Sequence, residues 1–171
     1  MDFELLAKER YSCRFFDGRK PDEEILNKIL EIANLAPTAK NMQPQKIYVL
    51  ESDEALSKID SITPIRYGSR LVLMFAYDAN QVWRNPFEEN ITSGEQDVSI
   101  VATHVMLAAK ELGVDSVWCG YFPNSKAHEL FSLPENEKVV LLMPLGYAKK
   151  ESKPSERHNQ RKELNDIVKK L

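Results

Sequence analysis

The chain has 171 residues, which suits one domain, residues 1–171, built around a single hydrophobic core. Its net charge of −3 excludes nucleic acid as the main partner, because a phosphate backbone requires a broad basic surface. No apolar run approaches the roughly 20 residues that cross a bilayer, and the acidic start lacks the features of a signal peptide, so the sequence predicts a cytoplasmic protein with no membrane partner.

Hydrophobic periodicity predicts helices and strands that alternate along most of the chain. This alternation predicts a sheet with helices on both faces. The apolar run at residues 71–76 indicates a central strand that is covered on both faces. In chain order the predicted elements are helix 2–10, helix 21–36, strand 46–50, helix 53–62, strand 70–77, helix 94–112, strand 114–122, helix 125–132, strand 138–145 and a weak helix near 163–171.

Particular residues are predicted to set the ends of these helices. Pro21 opens the second helix at a position where its missing N–H costs nothing, and Pro37 ends it. Glu95 and Asp97 lie in the first turn of the helix over residues 94–112, where carboxylates complement the helix dipole. That helix is apolar on more than one side, which indicates burial inside the domain or in a subunit interface.

Two segments lack apolar periodicity. Residues 78–93 are predicted to form a loop or a loosely helical excursion. Residues 148–171 are polar and charged, with little hydrophobic core of their own. The sequence therefore predicts that this C-terminal tail wraps around something, and a second subunit is the natural candidate.

The stretch Arg10-Tyr11-Ser12-Cys13-Arg14-Phe15-Phe16 carries the first functional signal. If it is extended, Arg10, Ser12 and Arg14 share one face, while Cys13 and Phe15 point into the protein. Two guanidinium groups with a hydroxyl between them suit a phosphate dianion. The alternative is a polar strand edge with two solvated arginines.

The sequence contains no other recognisable motif for binding a phosphate, for binding a metal or for nucleophilic catalysis. The six glycines occur singly, so neither a P-loop nor a dinucleotide-binding turn can be written. The two cysteines give no disulfide framework and no metal-ligand spacing. His128-Glu129 begins like a zinc-binding helix, but position 132, where that motif needs a second histidine, is Ser132. Cys119 has no histidine placed by sequence to activate it, so we interpret it as a small buried residue rather than a nucleophile.

Several separated stretches then agree with one known pattern. They are RYSCRFF at residues 10–16, APTAKNMQP at 36–44, AAKELG at 108–113, VWCG at 117–120 and LGY at 145–147. In this order, over nearly the whole chain, they resemble the nitroreductase family of flavin enzymes in its short-chain form. The stretch at 36–44 is the most specific of them.

The resemblance implies an α+β, nitroreductase-like fold with a central, mostly antiparallel four-stranded sheet flanked by helices. It also implies a homodimer in which the tail, about residues 148–171, embraces the other subunit. Two FMN molecules would lie at the subunit interface. NADH or NADPH would reduce FMN, and a nitroaromatic, a quinone or a similar small acceptor would then take the electrons in a ping-pong reaction.

The resemblance also assigns roles to individual residues, and none of them is catalytic or binds a metal, because in this family the flavin carries the chemistry. The cluster Arg10, Tyr11, Ser12 and Arg14 would form the site for the FMN phosphate and ribityl chain. The residues Pro37, Thr38, Ala39 and Asn41 would approach the flavin from the partner subunit, with Gln43 completing their motif. The backbone of Cys119 and Gly120 would lie against the flavin ring, and Arg157 would join the phosphate site.

Three other functions remain open at this point. The chain could be a flavin-binding protein that stores or senses FMN without turnover. It could be a flavin reductase of the same fold that acts on another acceptor, such as an activated alkene or a halogenated aromatic. It could also be a scaffold without a cofactor. Larger relatives carry a long insertion where this chain has only residues 78–93, so the cover over the site is predicted to be shorter or built differently.

Overall fold

A computed structural model describes residues 2–171. Within this range the elements are α1 (Phe3–Glu9), α2 (Glu23–Ala33), β1 (Gln45–Leu50), α3 (Asp53–Asp60), β2 (Leu71–Asp78), α4 (Gly94–Glu111), β3 (Asp115–Ser116), α5 (Asn124–Leu130), β4 (Glu137–Gly146) and α6 (Leu164–Ile167). Short 3-10 turns lie at Ala39–Asn41 and Glu156–Asn159. No helix in this range has the length and apolar character needed to cross a membrane.

The four strands form one antiparallel sheet in the order β1-β2-β4-β3. This confirms the predicted fold class, an antiparallel four-stranded sheet flanked by helices. The two inner strands, β2 and β4, are apolar along almost their whole length because both of their faces are covered. Helices α2 and α4 cover one face, and α3 and α5 cover the other.

Alternation along β2 divides the core into two layers. Leu71, Leu73 and Phe75 face α2 and α4, whereas Val72, Met74 and Ala76 face the opposite layer. A bulge between Phe75 and Ala76 shifts the pairing with β4 at that point. The second layer also contains Cys13, Phe16, Val117 and Cys119, so the segments singled out in the sequence pack on the same side of the sheet.

The second helix begins two residues later than predicted. The side chain of Asp22 accepts a hydrogen bond from the backbone N–H of Ile25 at 2.8 Å, so Asp22 is the N-cap and Glu23 is the first helical residue. Pro21 therefore precedes the helix and is buried at its entrance, which corrects the predicted position. The helix ends at Ala33, with turns carrying the chain to Pro37.

The strand predicted over residues 114–122 is interrupted after two residues. Ser116 pairs with Leu145, and in the same register Cys119 and Leu142 exchange both backbone hydrogen bonds, at 2.9 and 3.0 Å. Between them Val117 lies opposite Pro144, donating to its carbonyl oxygen at 3.2 Å. Proline has no N–H to return, so the ladder is broken there and the chain leaves regular strand geometry.

Helix α4 presents one stripe to the sheet and a second, less buried side to the surface. Ile100 is exposed, and Leu107 is half-buried in a groove shared with Phe3 and Ile32. This second side is not buried within the protomer, so the predicted alternative, burial in a subunit interface, stays a prediction. The helix ends as predicted, with Gly113 following it at a φ of 76°.

The first turn of α4 leaves no room for a side chain at Gly94. A Cβ atom at this position would lie 2.6 Å from the ring of Tyr77. We expect Gly94→Ala to lower the free energy of unfolding by about 1–3 kcal/mol, because the ring must move within packed surroundings. Urea unfolding measures this.

Gly120→Ala is the matched control for Gly94→Ala. A Cβ atom at residue 120 would meet nothing within 4 Å, so the free energy of unfolding should stay within about 0.5 kcal/mol of the parent value. Equal effects of the two substitutions would contradict the packing argument.

Candidate functional site

The N-terminal segment 10–16 lies along the free edge of β3. Ser12 forms a parallel bridge with Ser116, and the N–H of Cys13 donates to the carbonyl oxygen of Ser116 at 3.0 Å. Three residues later the N–H of Phe16 donates to the carbonyl oxygen of Tyr67 at 3.1 Å. These contacts fix the segment between the sheet edge and the loop before β2.

The prediction that Phe15 points into the protein is wrong. Cys13 and Phe16 are buried, whereas the side chain of Phe15 is 47% exposed and lies under the ammonium group of Lys149, 4.4 Å from the ring centre. Strict alternation would need an even spacing between inward residues, but the two anchoring residues are three apart. The alternation of inward and outward side chains is therefore lost between Arg14 and Phe16.

Alternation does hold from Arg10 to Arg14, and it brings basic residues together on one face. Arg10, Ser12 and Arg14 line one cavity of about 190 Å³ with residues of the C-terminal tail, and we call it the arginine cavity. A second cavity of about 350 Å³ adjoins it and shares Arg14, Ser155 and Arg157 with it. The arginine cavity is lined by Arg10, Tyr11, Ser12, Arg14, Ser155, Arg157, His158 and Arg161.

The arginine cavity has a strongly positive charge that the protein does not balance. Among residues 2–171, no ion pair involves Arg10, Arg14, Arg157 or Arg161. Burial lowers the pKa of Arg10, and the nearby charge of Arg161 lowers it further. Guanidinium groups gathered in this way favour an anion, because each offers paired N–H donors in addition to its charge.

Tyr11 contributes to this site mainly by holding the tail. Its hydroxyl donates to Oγ of Ser152 at 3.2 Å, and Sγ of Cys13 lies 3.6 Å from the same oxygen. Burial raises the pKa of Tyr11 above its usual value. The hydroxyl is thus a neutral hydrogen-bond donor at physiological pH.

Cys119 and Gly120 lie at the far end of the broken strand and line neither cavity. Burial raises the pKa of the Cys119 thiol to about 11, and the charge of Arg14 opposes this shift. The thiol is therefore protonated at neutral pH, which fits a packing role rather than a nucleophile. Gly120 is exposed and borders open space, with the exposed side chain of Tyr121 next to it.

The loop over residues 37–44 has an unusual backbone. Lys40, Asn41 and Gln43 have φ values of 50°, 55° and 50°, which non-glycine residues rarely adopt. Oγ of Thr38 accepts a hydrogen bond from the N–H of Gln43 at 3.0 Å and closes the loop. Such strained conformations cluster at functional sites.

Asp97 fastens this loop to α4, a role that the sequence did not reveal. Its Oδ1 accepts a hydrogen bond from the N–H of Ala39 at 2.8 Å, and its Oδ2 accepts one from the hydroxyl of Ser93 at 2.6 Å. The side chain is only 2% exposed. The predicted dipole effect of its position remains, but Asp97 also makes specific contacts that the exposed Glu95 does not.

The predicted site residues thus do not form one group in one protomer. Arg157 lines the arginine cavity with Arg10, Tyr11, Ser12 and Arg14, whereas Cys119 and Gly120 line neither cavity. The loop residues Pro37, Thr38, Ala39, Asn41 and Gln43 do not line either cavity. Sequence reasoning missed His158 and Arg161, which lie one and four positions after Arg157 in a tail without hydrophobic periodicity.

Comparison with known proteins identifies the family. The model of the Nitroreductase family matches residues 7–66 and 60–147. A protein of Methanothermobacter thermautotrophicus whose name pairs NADH dehydrogenase with NAD(P)H nitroreductase is 34% identical over 152 residues, which cover 86% of this chain and 78% of that protein. The chain belongs to the nitroreductase family. It is therefore an oxidoreductase, and the resemblance recognised in its sequence is confirmed.

Solved structures agree with this assignment. The crystal structure of a nitroreductase family protein from Clostridium difficile 630 is 39% identical, with a TM-score of 0.91 over 99% of this chain and 98% of that one. A nitroreductase-fold structure from Exiguobacterium sibiricum, solved in complex with FMN, has a TM-score of 0.85 at 24% identity, covering 100% of this chain and 98% of that one. The second likeness establishes the fold alone.

The role of Asp97 can be tested against a charge-matched control. We expect Asp97→Ala to lower the free energy of unfolding by about 2–3 kcal/mol and to speed amide hydrogen exchange in the loop over residues 37–44, because the half-buried N–H of Ala39 and the buried hydroxyl of Ser93 both lose their acceptor. Glu95→Ala removes an exposed carboxylate from the same turn, and its dipole effect is worth less than about 1 kcal/mol. Equal losses in the two variants would show that Asp97 acts only through the helix dipole.

Proposed function

We propose that this protein is an FMN-dependent oxidoreductase that passes electrons from NADH or NADPH to a small acceptor, such as a nitroaromatic or a quinone, in two half-reactions. The observation that carries the proposal is the arginine cavity, whose four arginines make no ion pair within residues 2–171. The family membership and the FMN-bound neighbour of the same fold support it.

The residues present fit the cofactor. A phosphate monoester carries a charge of about −1.5 to −2 at neutral pH, and Arg10, Arg14 and Arg157 would supply the opposing charge, with the hydroxyl of Ser12 among them. A planar ring needs a surface without protruding side chains, which Gly120 provides. When bound, FMN supplies a ring that accepts hydride from a nicotinamide and passes electrons on to the acceptor.

The chain's own contribution is placement rather than proton transfer. The arginines would fix one end of the cofactor, and the backbone at residues 119–120 would set the position of the other. The Cys119 thiol stays protonated because burial raises its pKa to about 11, so it presents an uncharged surface next to the cofactor. Exposed Trp118 and Tyr121 flank this segment and are available to exclude water.

We further propose that the active form is a homodimer. The strained loop over residues 37–44 and the arginine cavity do not meet within one protomer, and a second subunit would bring a loop to the cavity. The tail also has apolar side chains that are largely exposed in one protomer, and these are Leu164, Ile167, Val168 and Leu171. A groove formed by Phe3, Leu6, Ile32, Leu107 and Ala108 is open on the same molecule.

The phosphate assignment predicts the effect of removing the first two arginines. We expect the Arg10→Ala/Arg14→Ala double variant to fold but to bind FMN about 100-fold more weakly or worse, because it loses two charge-assisted contacts. Quenching of flavin fluorescence on titration with protein measures this, and circular dichroism reports the fold.

Arg70→Ala is the control for the arginine variant. Its guanidinium group is exposed and already paired with Asp53 at 2.9 Å, so its loss should not change FMN affinity. Full flavin occupancy in the double variant would overturn the phosphate assignment.

Turnover separates an enzyme from a protein that only stores or senses flavin. We expect NADH or NADPH to bleach the visible absorption of the FMN-loaded protein under anaerobic conditions, because the ring accepts hydride. A nitroaromatic, a quinone or a halogenated aromatic added afterwards should restore the absorption, and the restoring compound identifies the acceptor class. A spectrum that neither nicotinamide changes would favour the storage function instead.

A further inference from the structure

Residues 120–122 link the broken strand to α5 and make little use of hydrogen bonds. Just before them, Cys119 is fixed to Leu142 by the pair of backbone hydrogen bonds described above. Within residues 2–171, one hydrogen bond holds the three linking residues, and it comes from the hydroxyl of Thr63, which donates to the carbonyl oxygen of Tyr121 at 2.6 Å. The conformation of this short segment therefore depends on Thr63.

Thr63 is itself firmly placed in the turn that follows α3. Its N–H donates to the carbonyl oxygen of Ile59 at 3.1 Å, and the residue is only 4% exposed. Ile59 and Ile65, which lie on either side of it in the sequence, are buried in the second layer of the core. A buried hydroxyl is costly to leave unpaired, so its bond to Tyr121 is maintained. Thr63 thus ties a surface segment to the core across 58 positions of the chain.

This arrangement leaves one backbone donor of the segment available. The N–H of Gly120 makes no hydrogen bond within residues 2–171, although Gly120 lies between two fixed points, Cys119 on the sheet and Tyr121 on Thr63. A Cβ atom at residue 120 would meet nothing within 4 Å, so a flat group can approach this backbone closely. An unpaired N–H whose neighbours on both sides are held is a preorganised donor for a bound ligand.

We propose that Thr63 is a positioning residue for the flavin ring, acting through the carbonyl oxygen of Tyr121 to hold the N–H of Gly120 in place. The inference rests on the proposed function, in which the backbone at residues 119–120 lies against the ring. Thr63 lines neither the arginine cavity nor the cavity that adjoins it. Loss of its hydroxyl should therefore disturb the ring end of the site and leave the phosphate end intact.

Thr63→Val removes the hydroxyl and keeps the shape of the side chain. In the flavin-free full chain, we expect the amide order parameters of Gly120 and Tyr121, measured by NMR relaxation, to fall from about 0.85, typical of a rigid backbone, to below about 0.6. In the FMN-loaded protein, hydride transfer at saturating NADH or NADPH should slow about tenfold, because small misplacements of reacting groups lower the rate strongly. FMN affinity should fall less than about threefold, because the arginines still bind the phosphate.

Further variants separate positioning from general stability. Thr63→Ser keeps the hydroxyl and should restore backbone order and rate, whereas Thr63→Ala, which also lacks the hydroxyl, should repeat the effect of Thr63→Val. Thr103→Val is the matched control, because the hydroxyl of Thr103 also donates to a backbone carbonyl oxygen, that of Ser99 at 2.8 Å within α4. It should behave like the parent protein in all three measurements, and circular dichroism reports the fold of each variant.

The outcomes distinguish this inference from the proposed function. An unchanged hydride-transfer rate in Thr63→Val, or unchanged order at residues 120–121, would overturn the positioning role and leave the FMN-dependent enzyme standing. An equal loss of rate in Thr103→Val, or a failure of Thr63→Ser to restore the rate, would do the same. A parent protein that binds no FMN, or whose flavin neither nicotinamide bleaches, would overturn the proposed function itself.

Discussion

Repulsion between like charges is the constraint on which the site depends. Four guanidinium groups from opposite ends of the chain meet at one edge of the sheet, and no carboxylate among residues 2–171 pairs with any of them. A protein of net charge −3 has enough acidic residues to neutralise such a cluster if neutralisation were all that stability required. An anion in the cavity would relieve the repulsion between these cations.

The sheet determines where this cluster forms. Pro144 breaks the ladder opposite Val117, so β3 is too short to recruit a further strand. Its edge is closed instead by residues 10–16, which bridge to Ser116 at one end and to Ala148 at the other. The same few contacts bring the N-terminal segment, the end of the broken strand and the start of the tail together. The basic residues of the cavity are then placed by backbone pairing.

The sequence predicts the parts of this arrangement that repeat a regular period or a family motif. The apolar run of β2 and the long stripe of α4 were recognisable because each buries many side chains at the spacing of its element. Arg10, Ser12 and Arg14 were placed on one face by alternation alone. The failure at Phe15 shows the limit of that reasoning, since two long-range hydrogen bonds three residues apart overrule a local pattern.

Residues that act through one distant contact could not be found from the sequence. Asp97 looked like a dipole-complementing carboxylate because its partner Ala39 is 58 positions away in the chain. Arg161 lies in a tail without periodicity, so nothing local connects it with Arg10. Pro144 can be recognised in the sequence as a residue that lacks the N–H needed for strand pairing. Its effect on β3 appears only once Val117 is known to lie opposite it. In each case topology creates the pairing that gives the residue its role.

The two groups of residues that would surround the cofactor are organised in opposite ways. Three residues of the loop over residues 37–44 have a left-handed backbone conformation, which costs about 1 kcal/mol or more for each. Hydrogen bonds to the side chains of Thr38 and Asp97 hold the loop in this conformation. The loop is therefore already ordered in the free protein. Within the part of the chain that the structure describes, residues 153–161 make one hydrogen bond to the body, and Arg157 and Arg161 line the cavity that Arg10 and Arg14 also line. The loop is therefore fixed by its own hydrogen bonds, whereas the tail residues make few contacts with the body and share the cavity with like charges.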